Sequence, residues 1–188
     1  MKKIPTLFER DWTGDKSRVV NQYHKDCEWV GNGEGVATQK LDGTSCLIRN
    51  GKLFKRREVK ADGALPRDFE LATFDKETGK SVGWVPVGDG PDDKFHREAF
   101  WDGLPDGTYE LIGPKVQGNP EHADRHTLIA HSNAAVYQDA PRDFEGLRDW
   151  LNGKDIEGVV FHHPDGRMAK IKLRDFGFKR TSTDKEKP

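Results

Sequence analysis

Cysteine is scarce in this chain of 188 residues, which contains Cys27 and Cys46 and no others. Two thiols at that spacing make neither a disulfide framework nor a zinc site, and a reducing, cytoplasmic compartment is the expectation. Long hydrophobic runs are missing. No stretch is long and apolar enough to span a membrane, and the basic start Met1-Lys2-Lys3 is followed by no apolar segment of the secretory kind. Charge of either sign is not in surplus, because 31 Lys and Arg face 32 Asp and Glu and leave −1. With a pI of about 6.7, a global basic footprint for nucleic acid is absent.

Hydrophobic and charged residues each make up 34% of the chain, so the surface is very polar. Ten Phe and five Trp still supply bulky groups for a core or for stacking. Twenty Gly and ten Pro point to many turns between short strands. The length suits one domain over residues 1–180, with the polar stretch Thr181–Pro188 expected to be a disordered tail. Two local basic clusters stand out. One holds Lys52, Lys55, Arg56, Arg57 and Lys60; the other holds Arg167, Lys170, Lys172, Arg174, Lys179 and Arg180. Each can be a solvated face or a phosphate contact.

The most informative stretch is Gln39-Lys40-Leu41-Asp42-Gly43-Thr44-Ser45. Val36-Ala37-Thr38 reads as a strand that ends at Lys40. Cys46-Leu47-Ile48 and Leu53-Phe54 read as a hairpin around Asn50-Gly51. In the strand that continues to Val59, period 2 puts Phe54 and Arg56 on one face and Lys55 and Arg57 on the other. Gly31, Gly33 and Gly35 precede this region without a Walker or dinucleotide pattern, which favours an ordinary connection over a phosphate cradle.

Three later segments carry chemistry. Asp106-Gly107 turns into Thr108-Tyr109-Glu110-Leu111-Ile112, a strand that holds Glu110 among apolar neighbours, where its charge needs a partner. Ile156-Glu157-Gly158-Val159-Val160-Phe161 follows a helix expected over Asp143–Leu151, in which Phe144, Leu147 and Leu151 share one face. Met168-Ala169-Lys170-Ile171-Lys172-Leu173 is a strand whose two lysines point the same way. Two ammonium groups on one face repel unless an anion sits between them, and phosphate is the natural anion. Residues 60–105 read as loop-rich with a short buried strand at Gly83–Val87, and Asp89, Asp92 and Asp93 read as a solvated loop rather than a metal cluster. Thr127–His131 reads as one more strand.

The four segments, in this order, resemble the covalent nucleotidyltransferase superfamily of ATP-dependent DNA and RNA ligases and messenger-RNA capping enzymes. The resemblance implies an α+β fold of antiparallel sheets, the nucleotidyltransferase (ATP-grasp-like ligase adenylation) domain. It makes Lys40 the nucleophile that carries AMP, with Lys170 and Lys172 on the α-phosphate and Arg56, the closest match, or Arg57 on the nucleotide or the incoming 5′-phosphate. Glu110 is implied at the ribose, Glu157 at a divalent metal (Mg2+ or Mn2+), and His131 stands where the family usually stacks an aromatic ring on the base, a departure that favours a histidine satisfied in the core or at the surface over a stacking one. Cations gathered round such a lysine favour its neutral, nucleophilic form and stabilise the transferring phosphate.

Only Leu173–Pro188 follow the last motif, too few for the OB-fold that capping enzymes and DNA ligases add. With Glu-Leu-Ile-Gly-Pro at 110–114 and Thr-Leu-Phe-x-Arg-Asp at 6–11, the chain looks most like a small ATP-dependent RNA ligase. Such an enzyme joins RNA 5′-phosphate and 3′-hydroxyl ends, and leaves room for a partner with an RNA-binding domain. A DNA nick ligase, a GTP-using capping-type enzyme and a non-catalytic nucleotide- or RNA-binding domain stay open as alternatives.

Overall fold

Short runs of alternating residues between Gly- and Pro-rich turns favour strands over helices. A computed structural model describes residues 3–76 and 78–180, and the tail expected at Thr181–Pro188 lies outside the described residues. Within the stretch read as one domain, the chain clusters into two compact units. An outer unit comprises Ile4–Leu41 and residues 134–180; an inserted unit comprises Lys3 and Asp42–Asn133.

The outer unit begins with strands β1 (Phe8–Arg10) and β2 (Val19–Tyr23), a short helix α1 (Glu28–Gly31) and strand β3 (Val36–Lys40). The inserted unit follows with β4 (Thr44–Arg49), β5 (Lys52–Val59), β6 (Glu70–Asp75), β7 (Lys80–Pro86), helix α2 (Lys94–Ala99), β8 (Gly107–Ile112) and β9 (Thr127–Ala130). The outer unit closes with helix α3 (Phe144–Leu151), β10 (Gly158–His162) and β11 (Met168–Lys172). The result is mixed sheet and helix, mostly strand.

In the outer unit β1 and β2 pair, and a second sheet runs β11-β10-β3, antiparallel throughout. One face of this second sheet carries Ala37, Val159, Phe161, Ala169 and Ile171, which are all buried. These residues join Leu7, Phe8, Val30, Leu147 and Leu151 in one core. Helix α3 forms where the sequence places it. The Asp143 carboxylate accepts the Gly146 N–H at 2.8 Å and caps the helix, while Leu147 and Leu151 are buried.

The inserted unit is a six-stranded sheet in the order β6-β7-β5-β4-β8-β9. Its core is built on Cys46, Ile48, Tyr109, Leu111 and Leu128. The β4–β5 hairpin turns at Asn50 and Gly51, both with positive φ, as an Asn-Gly turn requires. Residues 60–105 hold more order than their composition suggests. Strand β7 pairs on one side with β5 and on the other with β6, whose register shifts between Leu71 and Thr73. That bulge breaks the period of 2, and Gly83 and Pro86 inside β7 read as breakers. Burial lifts the thiols of Cys27 and Cys46 to about 12, so neither is a reactive thiolate.

Candidate active site

Register brings the outer-unit lysines together. Gly158 on the central strand β10 pairs with Lys40 of β3 on one side and Lys172 of β11 on the other. One step along the same face lie Thr38, Val160 and Lys170. Gly158 has no side chain to fill the space between the two lysines. A Cβ there would run into the Ile171 carbonyl oxygen and the Lys172 Cα.

The preceding residue, Glu157, bridges the pair. Lys40 Nζ donates to Glu157 Oε2, and Lys172 Nζ donates to Glu157 Oε1. Burial pushes the Glu157 carboxyl up, but the Lys40 and Lys172 ammonium groups outweigh it and hold it below the usual carboxylate range. The Lys170 ammonium group has no hydrogen-bond or ion-pair partner among the described residues. Desolvation, then the charges of Lys172 and Lys40, lower its pKa to about 8; Asp175 and Glu157 offset only part of this. Three lysines thus lie on one sheet face, and two of them share the Glu157 carboxylate. The surplus positive charge suits a bound anion, and Lys170 is the group left to meet it.

Other expected residues lie in the inserted unit. Glu110 sits on β8 between β4 and β9, and is buried. It is therefore not an edge-strand carboxylate facing solvent. Its partner is His131, whose Nε2 lies 3.0 Å from Glu110 Oε2 and whose Nδ1 lies 2.9 Å from Thr108 Oγ1. Strand β9 ends at Ala130, and His131 opens a 3-10 turn. Both ring nitrogens of His131 are thus engaged in holding Glu110 and Thr108.

Arg56 on β5 lies opposite Trp84 of β7, and its guanidinium has no hydrogen-bond partner among the described residues. Burial pulls its pKa down, while Glu110 and Glu58 pull it back up. Gly43 of the Lys-x-Asp-Gly stretch is approached so closely by the Leu111 carbonyl oxygen that a Cβ would collide with it.

Sequence reasoning missed two features. Ser45 pairs with Glu110 across β4 and β8, and its buried hydroxyl has no hydrogen-bond partner among the described residues. Asp93, read as part of a solvated loop, is buried. It accepts Lys55 Nζ and the Gly88 N–H, the latter at 2.8 Å. Lys55 and Asp93 are 38 residues apart, so only the fold reveals the pair. No group of three or more His, Cys, Asp or Glu able to hold a metal occurs among the described residues. Nor is any helix among them long and apolar enough to cross a membrane.

Residues 99–187 match the family model of RNA ligase 1. The chain is also similar to RNA ligase 1 of Danio rerio, with 31% identity over 81 residues. That alignment covers 38% of this chain and 25% of the zebrafish protein, so the chain spans about a quarter of the length of the curated relative it matches. The family match takes in Glu110, His131, Glu157, Lys170 and Lys172, and begins after Lys40 and Arg56. The similarity to RNA ligases therefore rests on the second half of the chain, while Lys40 is tied to that half by strand pairing with β10.

Proposed function

We propose that this protein is an ATP-dependent RNA ligase of the covalent nucleotidyltransferase type, and that its fold is that family's adenylation domain. The observation that carries the reading is Lys40 set across Gly158 from Lys172, with Glu157 bridging the two and Lys170 unpaired beside them.

In the first step Lys40 Nζ, once deprotonated, attacks the α-phosphorus of ATP. A P–N bond forms, the bond from the α-phosphorus to the bridging oxygen breaks, and pyrophosphate leaves. Lys172 and Lys170 stabilise the charge on the α-phosphate. In the second step a 5′-phosphate oxygen of RNA attacks the same phosphorus, which breaks the P–N bond and leaves an adenylated 5′ end. In the third step a 3′-hydroxyl attacks the RNA 5′-phosphorus, a phosphodiester forms and AMP leaves. In the family resemblance Glu110 has the role of binding the ribose hydroxyl and Arg56 that of binding the nucleotide or the 5′-phosphate, and His131 holds Glu110 in place.

A single ionised carboxylate fits a magnesium or manganese ion that takes its remaining ligands from water and substrate phosphates, provided that Lys40 and Lys172 release the carboxylate oxygens. Glu157 would hold such an ion, which supplies charge neutralisation for the pyrophosphate when bound.

The test is incubation with magnesium and ATP labelled at the α-phosphate, followed by a denaturing gel, with Lys40→Ala alongside. Label is expected to stay on the wild type and to be absent from Lys40→Ala. Label from GTP but not from ATP would move the chemistry to the capping type. A wild-type protein free of bound nucleotide that takes label from neither would leave only a binding domain.

A further inference from the structure

Where the chain leaves β11, the outer unit carries a cleft of about 550 Å3. Five cations line it: Arg10, Lys16, Arg18, Arg174 and Lys179. Asp175 is the one carboxylate in the lining, and it is already engaged. It is buried, accepts the Arg10 guanidinium at 2.9 Å and accepts the Lys172 backbone N–H at 2.9 Å. Arg10 also donates to the Ser17 carbonyl at 2.9 Å, and the Arg18 guanidinium lies over the backbone of Gly177.

Lys16, Arg174 and Lys179 are exposed, and none has a carboxylate partner among the described residues. In a chain of net charge −1, this is a local concentration of positive charge on a concave surface, which focuses the field on an anion. An aromatic ring stands beside it. Trp12 is 64% exposed, and Lys16 Nζ lies 6.0 Å from its ring centroid. Cations in a groove with an exposed aromatic ring at its side are what a single-stranded nucleic acid requires, the cations for phosphates and the ring for a base. A lone phosphate needs no ring, and an acidic peptide needs no flat one.

We propose that this cleft binds single-stranded RNA, with Lys16, Arg174 and Lys179 on its phosphates and Trp12 stacked on a base. The choice of RNA as the polyanion rests on the ligase reading above. Among the described residues, the side chains of Lys16, Arg174, Lys179 and Trp12 make no hydrogen bond or ion pair with those of Lys40 or Glu157, whose carboxylate pairs with Lys40 and Lys172. Binding of the strand and formation of the lysyl-nucleotide are therefore separable.

The experiment measures binding of a short, fluorescently labelled, 5′-phosphorylated single-stranded RNA by anisotropy across a salt series. It compares the wild type with the triple variant Lys16→Ala, Arg174→Ala, Lys179→Ala and with Trp12→Ala. A second triple variant, Lys25→Ala, Lys76→Ala, Lys115→Ala, removes the same charge from positions elsewhere in the chain. Self-adenylylation is recorded for every protein.

The cleft triple is expected to bind RNA at least about tenfold more weakly and to flatten the salt slope by about 2, from roughly 0.7 per lost single-strand phosphate contact. Trp12→Ala is expected to weaken binding by about fivefold or more. The second triple should stay near the wild type, and self-adenylylation should persist in all. Wild-type affinity and slope in the cleft triple, an equal loss in the second triple, or no RNA binding by the wild type would each overturn the proposal. Loss in the cleft triple with no effect of Trp12→Ala would replace the RNA site by a general anion groove. If the cleft triple loses RNA but the wild type takes no label from ATP, the cleft stands and the ligase reading fails. Normal labelling with RNA binding unaltered in the cleft triple overturns the cleft and leaves the ligase reading in place.

Discussion

Lys40 and Lys172 reach opposite oxygens of one carboxylate, Glu157, from the two strands that flank Gly158. The pair is held at one level of the sheet because the central strand gives up a side chain there. The carboxylate offsets part of the charge of both ammonium groups, and in the reaction proposed above both lysines would have to leave it, Lys40 to attack and Lys172 to meet the α-phosphate.

The first prediction concerns Gly158. In Gly158→Ala the new methyl meets the Ile171 carbonyl and must push β10 and β11 apart. A stability loss of about 1–3 kcal/mol is expected, together with a fall in self-adenylylation that persists at temperatures where the variant is folded. Chemical denaturation and labelling on the same preparation check this. Full labelling by a folded Gly158→Ala would show that the spacing of the lysines is not critical.

Lys170 links stability to pH. Its pKa is lowered in the fold to about 8 from an ordinary value of 10.5. Below about pH 8 the folded and unfolded chains both carry the proton, and the fold bears the full cost of the buried charge. Between about pH 8 and 10.5 the unfolded chain binds more protons, so this group makes the fold more stable as pH rises. Lys170→Met is therefore expected to be more stable than the wild type at pH 7, by on the order of 2 kcal/mol. The gain should shrink by pH 10, while labelling falls. Denaturation midpoints at the two pH values decide it, and a variant less stable at pH 7 contradicts the assignment.

His131 has two candidate roles that substitution separates. If its ring stacks on the base, His131→Phe keeps activity. If it holds Glu110 and Thr108, as its two hydrogen bonds indicate, His131→Phe loses nucleotide affinity as far as His131→Ala does. We expect the second result. Glu110 would then be left with a buried, unpaired carboxylate, at a stability cost of about 1–3 kcal/mol. Nucleotide affinity from calorimetry is the readout.

Arg142 ties down the glycine-rich loop. Its guanidinium donates to the carbonyls of Val30 at 3.4 Å and Gly35 at 2.8 Å, and to that of Glu34, while lying 5.5 Å from the Phe161 ring centroid. Arg142→Met is expected to cost about 2–3 kcal/mol. Arg142→Lys should recover little of it, because one ammonium cannot span three carbonyls in a fork geometry. Thermal melting of the two variants beside the wild type measures this, and a full rescue by lysine would contradict the fork.

Residue type and strand parity were legible in the sequence, because both are local. A period of 2 puts Lys170 and Lys172 on one face whatever the strand pairs with, and the Asn50-Gly51 turn sets the β4–β5 register by itself. The α3 helix likewise follows from its cap and its apolar face. Tertiary structure alone decided which side chains meet. Glu157 is 117 residues from Lys40, and their contact depends on β10 pairing with β3 at one register among several. The same holds for His131 on Glu110 and for Lys55 on Asp93. It holds too for strand β6, where a bulge hides the pattern, and for the first half of β7, because only Gly83–Val87 reads as strand until the neighbours of β7 supply the hydrogen bonds. Backbone propensity acts over a few residues, whereas an ion pair between strands is set by register, and register is a property of the whole sheet.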